Sequence, residues 1–184
     1  RKEGFDDYVR YGRELGMEIL RSNAFILNGV NVSSSVVRSF LQDGEVEMAA
    51  QCLGYPYTLL GKVEHGQQEG RKLGYPTANI NTSDYGQLIP APGVYAVKVM
   101  LRNQMTQFHG MMNIGTRPTF EGHALSLEVH IFNFQGNLYG QELKVSFIHR
   151  IRSEQKFSTP EALAHQLKRD AKLVEEQFDK ENDL

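Results

Sequence analysis

The feature that most restricts the fold of this chain is a series of short strand-like segments after residue 56. Each segment is rich in β-branched or aromatic residues, and glycine, proline or asparagine separates it from the next. The segments cover residues 57–63, 94–100, 107–114, 125–134 and 142–151. So many short strands predict a β-barrel or a β-sandwich.

The first part of the chain has a different pattern. Apolar residues spaced along 5–20 predict a helix, and the apolar run 24–27 before Asn28-Gly29 predicts a strand that ends in a turn. Serines 33–35 can cap a further helix, which ends at Asp43-Gly44. This alternation predicts α/β structure.

A turn cluster at residues 53–56, Leu-Gly-Tyr-Pro, separates the two patterns. We therefore predict two domains, 1–55 and 56–184. The chain opens without methionine on a charged segment, from which we expect a piece of a longer protein.

A C-terminal helix is predicted after residue 158. The segment Ser158-Thr159-Pro160-Glu161 combines the spacing of a capping box with a proline in the first turn. Apolar residues then recur at helical spacing, at Leu163, Leu167, Val174 and Phe178. Such a helix packs its apolar stripe on the barrel.

Charge and cysteine content exclude several classes of function. The net charge of −2 over 184 residues gives no basic field for nucleic-acid binding. No apolar run approaches the roughly 18 residues of a membrane span. The single cysteine, Cys52, allows no internal disulfide and favours a cytoplasmic location.

The segment 61–79 is the richest in chemical signals. Its glycines, among them Gly66 and Gly70, let the backbone approach a ligand closely, and Arg71 and Lys72 supply positive charge for the phosphates of ATP. It is not a Walker A loop, because Gly-Lys-Ser/Thr is missing. On these residues alone, a glycine-rich hairpin explains the segment equally well.

Two oxygen-bearing side chains follow this segment. Thr77 and Asn79 are two residues apart, so in an extended chain both lie on one face. A hydroxyl and an amide are hard, neutral ligands that suit Mg²⁺ beside ATP. A polar strand edge is the alternative.

Glu128 interrupts the apolar run 125–131 and is the candidate acceptor of a proton in phosphoryl transfer. His130 lies on the same strand face, where it can orient a phosphate or the substrate, or only stabilise the fold. From the residues alone, an exposed glutamate on the outer face of a strand is the better explanation, by roughly two to one.

These motifs together resemble the riboflavin kinase family, whose pattern Gly-Arg, Leu-Gly-Phe/Tyr-Pro-Thr-Ala-Asn recurs at 70–79. Further blocks of the family pattern stand in order at 92–96, 113–120, 128–131, 138–140 and 151–157. The resemblance implies a six-stranded antiparallel Greek-key barrel with a C-terminal helix. It also implies a kinase that uses ATP and Mg²⁺ to phosphorylate the 5′-hydroxyl of riboflavin, giving FMN.

The resemblance also implies the roles of individual residues. Glu128 becomes the catalytic base. The ATP-binding residues are Gly66, Gly70, Arg71, Lys72, Thr77 and Asn79, and the last two of these also hold the metal. A further set of residues binds the flavin: Asn113, Arg117, Arg152, Glu154 and Phe157. The alternative for Asn113 and Arg117 is that they only build a turn. The alternative for the other three residues is that they only connect a strand to a helix.

The N-terminal segment 29–38 resembles the late nucleotide motif of FMN adenylyltransferases. Ser33, Ser34, Ser35 and Arg38 suit an anion site at a helix start, although an ordinary capped helix explains the serines equally well. The early His-x-Gly-His motif of such transferases is missing from these residues. We therefore expect residues 1–55 to be an inactive C-terminal remnant of an adenylyltransferase module. The missing N-terminal portion of that module would belong to the same protein, which would then also convert FMN to FAD.

Two other functions compete with the kinase. A non-catalytic module that binds flavin or nucleotide would need neither metal ligands nor a base, so the combination of Thr77, Asn79 and Glu128 argues against it. A flavin oxidoreductase lacks a recognisable nicotinamide site. The expected partners are small-molecule substrates, with no nucleic acid and no membrane.

Overall fold

The structure is a computed structural model that describes residues 4–21, 23–65, 74–102, 104–119 and 122–182. The chain forms two compact units, Arg1–Val32 and Ser33–Leu184. Each unit is described separately below.

The described residues of the first unit form a helix and a hairpin. Helix α1 (Phe5–Glu14) is shorter than the predicted 5–20, because Gly16 adopts φ +69° just beyond its end. Strands β1 (Ile26–Leu27) and β2 (Val30–Asn31) pair antiparallel. Asn28 and Gly29 between them both have positive φ, as a tight hairpin turn requires.

The described residues of the second unit form a six-stranded barrel and three α-helices. In chain order the elements are α2 (Ser34–Asp43), α3 (Val46–Leu53), β3 (Thr58–Glu64), β4 (Ala78–Asn81), β5 (Gly93–Leu101), β6 (Gln107–Thr119), β7 (Gly122–Ile131), β8 (Glu142–Ser153) and α4 (Pro160–Asn182). A single turn of 3₁₀ helix lies at Ser83–Tyr85.

The barrel is closed in the order β3-β4-β7-β6-β5-β8, and every neighbouring pair is antiparallel. This confirms the predicted six-stranded barrel. Its sixth strand is β4, which the Pro-Thr-Ala-Asn motif provides. A closed barrel leaves no edge strand exposed.

Alternation along the strands fills the barrel interior with apolar side chains. Tyr95 and Phe147 are completely buried there, and their rings meet edge to face with centroids 5.2 Å apart. On β7 the buried residues are Leu127, Val129 and Ile131. Residues between them on β7 therefore lie on the outer face of the barrel.

Helices α2 and α3 pack against the barrel. Their buried residues Val37, Leu41, Val46 and Ala49 belong to the same apolar cluster as the barrel interior. The backbone N–H of Ala91 also donates to the carbonyl of Leu41 at 2.9 Å. The predicted boundary near residue 55 separates a remnant of an adenylyltransferase module from the barrel domain. That boundary stays a prediction.

Helix α4 covers part of the outer face of the barrel, as predicted. Val174 and Phe178 of the helix are buried against Val94, Ala96 and Met111 of β5 and β6. Among the described residues, no helix is long and apolar enough to cross a membrane.

The residue that caps α4 lies one position after Ser158, the residue that the capping-box spacing predicts. Thr159 caps the helix, because its Oγ1 accepts a hydrogen bond of 3.2 Å from the N–H of Ala162. Pro160 is then the first helical residue, where its missing N–H has no cost. Ser158 precedes the cap.

Removal of this cap should weaken the fold modestly. We expect Thr159→Ala to lower the free energy of unfolding by about 1 kcal/mol, since one N–H of the first turn loses its acceptor. Urea denaturation measures the change. Ser158→Ala is the matched control and should have a smaller effect, and equal losses in both variants would contradict the assignment of the cap.

Candidate active site

Three polar residues form a row across three neighbouring strands. Asn79 on β4 pairs with Glu128 on β7, and Glu128 pairs with Asn113 on β6. All three are partly buried on the outer face of the barrel. The predicted metal ligand, catalytic base and flavin contact therefore lie side by side.

Glu128 is oriented by a neighbouring hydroxyl. The Oγ1 of Thr77 donates to Oε2 of Glu128 at 3.1 Å. Glu128 thus lies on the outer face, as the simpler alternative supposed, but it is partly buried and hydrogen-bonded. Its role as a base stays a prediction.

A cavity of about 400 Å³ opens at the end of the barrel near the start of β4. Val63, Ala78, Val129 and Ile131 form its apolar floor, and Thr77 lies on its wall. The remaining lining residues are Pro76, Phe134, Gly136, Asn137, Leu138 and Tyr139. Thr77 therefore contacts both this cavity and Glu128.

The segment after β7 forms the outer wall of this cavity. Tyr139 stacks on His65, with ring centroids 3.8 Å apart and planes 22° from parallel. The N–H of Tyr139 also donates to Oδ1 of Asn137 at 3.0 Å. Sequence reasoning did not place these residues in a site, because nothing local shows that the segment folds over the barrel end.

His130 is held by the backbone beside Thr77. Its Nδ1 lies 2.8 Å from the carbonyl oxygen of Pro76. The rings of Tyr75 and Phe132 contact it edge-on, each with centroids 5.3 Å away. These contacts favour the structural interpretation, in which His130 fixes the chain that enters β4.

Several predicted site residues lie outside the described part of the chain. They are Gly66, Gly70, Arg71, Lys72 and the side chain of Arg117. Their assignment to ATP or flavin stays a prediction.

A second group of polar side chains surrounds Gly115 on β6. A Cβ atom at Gly115 would lie 3.0 Å from Oε1 of Glu154, 3.3 Å from Nδ2 of Asn113 and 3.4 Å from Oγ of Ser126. The carboxylate of Glu154 accepts from the backbone N–H and the hydroxyl of Thr116, at 2.9 and 3.0 Å. Two predicted flavin residues thus meet at one place.

Ser126 in this group was missed by sequence reasoning, although a signal existed. It precedes Glu128 by two residues on the same strand, so alternation puts both side chains on one face.

Arg152 forms a buried ion pair that the sequence did not reveal. Its guanidinium donates to both carboxylate oxygens of Asp170 on α4, at 2.7 to 3.0 Å. Its Cζ also lies 5.7 Å from the ring centroid of Phe157. Asp170 interrupts the apolar stripe of Leu167 and Val174, and that interruption was the available signal.

The predicted adenylyltransferase residues lie at the start of α2. Ser33 caps this helix, because its Oγ accepts from the N–H of Val36 at 3.3 Å. Ser34, Ser35 and Arg38 are exposed. An anion site here stays a prediction.

The residues present fit a metal held mainly by a nucleotide. Thr77 and Asn79 offer oxygen ligands next to the carboxylate of Glu128, a donor set that suits Mg²⁺. In the described ranges, no group of three or more His, Cys, Asp or Glu side chains is placed to hold a metal ion. Such a site would depend on phosphate oxygens for its remaining ligands.

Comparisons with known proteins show which family this chain resembles. The sequence model of the riboflavin kinase family matches residues 53–178. A bifunctional riboflavin kinase/FMN adenylyltransferase of Haemophilus influenzae is 39% identical over 166 residues, which are 90% of this chain and 53% of the relative. The Bacillus subtilis protein of the same description is 40% identical over 142 residues, which are 76% of this chain and 44% of the relative.

This chain therefore spans about half the length of the curated relatives it matches. Among solved structures, a Streptococcus pneumoniae protein titled a macrolide-efflux protein superposes with a TM-score of 0.83 at 33% identity. The superposition covers 95% of this chain and 55% of that one.

Proposed function

The chain belongs to the riboflavin kinase family, and we propose that it transfers the γ-phosphate of ATP to the 5′-hydroxyl of riboflavin, giving FMN and ADP. The observation that carries the proposal is the position of Thr77, which lines the cavity and also donates to Glu128. A phosphate at the cavity wall and a hydroxyl at Glu128 would therefore meet at one point.

The cavity is the proposed nucleotide site. Its volume of about 400 Å³ lies within the usual range of ligand pockets, roughly 300–1,000 Å³. Its apolar floor suits a purine base, and the ring of Tyr139 in its lining, which His65 supports by stacking, offers a flat surface. Arg71 and Lys72 stand in the sequence between β3 and β4, and we propose that their positive charges bind the phosphates of ATP.

The outer face beyond Glu128 is the proposed riboflavin site. The polar groups around Gly115, from Asn113, Ser126 and Glu154, suit the hydroxyls of a ribityl chain. Phe157 offers a flat apolar surface for the ring system, with the Arg152 guanidinium nearby.

In the proposed reaction, the carboxylate of Glu128 accepts the proton of the 5′-hydroxyl. The hydroxyl oxygen then forms a bond to the γ-phosphorus, and the bond from that phosphorus to the β-phosphate oxygen breaks, so that ADP leaves. The hydrogen bond from Thr77 fixes one oxygen of this carboxylate and so orients the base. Most of the catalysis comes from this alignment.

Thr77 and Asn79 would hold Mg²⁺ on the phosphates of ATP. The ion would neutralise the negative charge that develops on the transferred group. We also propose that the whole protein adenylylates FMN through a further module, since the relatives described as bifunctional are about twice as long. We place the reaction in the cytoplasm, which agrees with the single cysteine.

The proposed function is tested by incubating the chain with riboflavin, ATP and MgCl₂ and separating the flavins by chromatography. Formation of FMN that depends on ATP supports the kinase. A folded chain that binds riboflavin and forms no FMN contradicts it and supports a non-catalytic flavin-binding module.

Truncation of Tyr139 should affect the nucleotide alone. We expect Tyr139→Ala to raise the KM for ATP about tenfold, because the loss of one aromatic stacking surface costs about 1 kcal/mol or slightly more. The KM for riboflavin should change less than twofold. Tyr55→Ala is the matched control, because Tyr55 is exposed and outside the cavity lining. A riboflavin KM that rises as much as the ATP KM would contradict the assignment of the cavity.

A further inference from the structure

The pair of Arg152 and Asp170 connects helix α4 to the segment that follows β8. Asp170 is completely buried, and the side chain of Arg152 is 15% exposed. Gln166, one turn earlier on the helix, donates to Oδ1 of Asp170 at 2.8 Å. Every contact of this carboxylate in the described residues is therefore with a donor, and its main partner is Arg152.

The segment from Arg152 to Thr159 is short and is fixed at several points. Arg152 is fixed by Asp170, and Glu154 is fixed to Thr116 of β6. Thr159 caps α4. Phe157 lies between these points, and the guanidinium of Arg152 lies over its ring, with Cζ 5.7 Å from the ring centroid.

We propose that Asp170 is a positioning residue for riboflavin binding, which acts by holding Arg152 in the place that orients Phe157. The inference rests on the proposed function, because it assumes that Phe157 faces the flavin. Asp170 itself is buried and does not touch the substrate. Helix α4 thus sets the geometry of the flavin surface in addition to covering the barrel.

The geometry explains why the carboxylate has to be charged and bidentate. Arg152 donates from Nε to both oxygens and from Nη2 to Oδ2, which fixes the plane of the guanidinium. That plane in turn limits where the Phe157 ring can rest. A shift of about 1 Å in such a surface is enough to weaken substrate alignment strongly.

Asp170→Asn is the variant that tests the proposal. In the parent, Oδ1 of Asp170 accepts from Gln166 and from Nε of Arg152, and Oδ2 accepts from Nε and Nη2 of Arg152. Whichever of these two positions the NH₂ group of asparagine takes, it therefore faces N–H donors instead of an acceptor. Arg152 therefore loses its fixed position. We expect the KM and the Kd for riboflavin to rise about tenfold, with the KM for ATP changed less than twofold.

Two further measurements separate positioning from mere stability. Val174→Ala removes a buried side chain one turn further along the same helix, and it should lower the melting temperature with no change in riboflavin affinity. Arg152→Gln and the double variant Arg152→Gln/Asp170→Asn complete a cycle. If Asp170 acts through Arg152, the double variant binds riboflavin as weakly as Arg152→Gln alone.

Riboflavin binding is measured directly by fluorescence titration, and turnover is measured as FMN formation. A wild-type chain that binds riboflavin without forming FMN refutes the proposed kinase reaction and still tests Asp170 through the Kd. Unchanged riboflavin affinity in Asp170→Asn overturns the inference, and so do additive effects in the double variant. If Asp170→Asn does not fold, Arg152→Lys replaces it, and wild-type affinity in that variant overturns the inference.

Discussion

Replacement of Glu128 by glutamine should lower the kcat for FMN formation by about 10²–10⁴-fold, the usual contribution of a general base. The glutamine side chain has nearly the same shape, and its amide oxygen can still accept the hydrogen bond from Thr77. Only the ability to take up the proton of the 5′-hydroxyl is lost. The affinities for riboflavin and for ATP should therefore stay within about threefold of the parent.

Glu175→Gln is the matched control for this prediction. Glu175 is an exposed glutamate on α4, remote in sequence from the strands that carry the site. Its replacement should leave kcat unchanged. If Glu128→Gln turned over at nearly the parent rate, Glu128 would not be the base, and the row formed with Asn79 and Asn113 would have to bind substrate only.

Replacement of Arg150 by methionine should have the largest effect on stability, about 3 kcal/mol in the free energy of unfolding. Arg150 on β8 donates from Nη1 to the carbonyl of Asp43 at 2.9 Å and from Nη2 to the carbonyl of Pro92 at 3.2 Å. Its backbone N–H donates to Glu47 at 3.1 Å. The side chain therefore joins α2, the start of β5 and β8.

The environment of Arg150 explains why the loss should be large. Gly44, which ends α2 at φ +79°, lies so close that a Cβ atom there would be 2.7 Å from Cζ of Arg150. Two carbonyls at this contact would lose their donors, and methionine cannot replace them. The positive charge also lies at the C-terminus of α2, where the helix dipole favours it.

Arg102→Met is the matched control for Arg150. Arg102 forms an ion pair with Glu142, but its side chain is 65% exposed, so its removal should destabilise the fold much less than the removal of Arg150. Both variants are compared by urea denaturation. Equal losses would mean that α2 contributes little to the stability of the barrel unit, and would contradict the role given to Arg150.

The barrel could be predicted because its strands carry local signals. Segments such as 94–100 and 142–151 combine β-branched residues with flanking turn residues, and the structure places β5 and β8 there. Helix α4 was predicted for the same reason, from its cap and its apolar stripe. Helix α1 was predicted too long, because local periodicity continued past the residue where Gly16 ends the helix.

The candidate site was only partly accessible from the sequence. Thr77, Asn79 and Glu128 were selected through the family pattern, since on strand pattern alone Glu128 was better explained as an exposed residue. The cavity wall around Tyr139 was missed, and so were Ser126 and Asp170. Alternation from Glu128 pointed to Ser126, and the polar break in the apolar stripe pointed to Asp170.

Most elements of this protein could be predicted from local sequence, because the periods of 2 and 3.6 residues and the turn and cap residues act over a few neighbouring positions. The family could be recognised in the same way, since several motifs follow one another in a fixed order. Only the folded structure shows which of these residues are neighbours. Strand register brings Asn79, Glu128 and Asn113 into one row, and Arg150 reaches Asp43 across 107 residues of sequence. Such contacts depend on how distant segments pack, which no local pattern encodes.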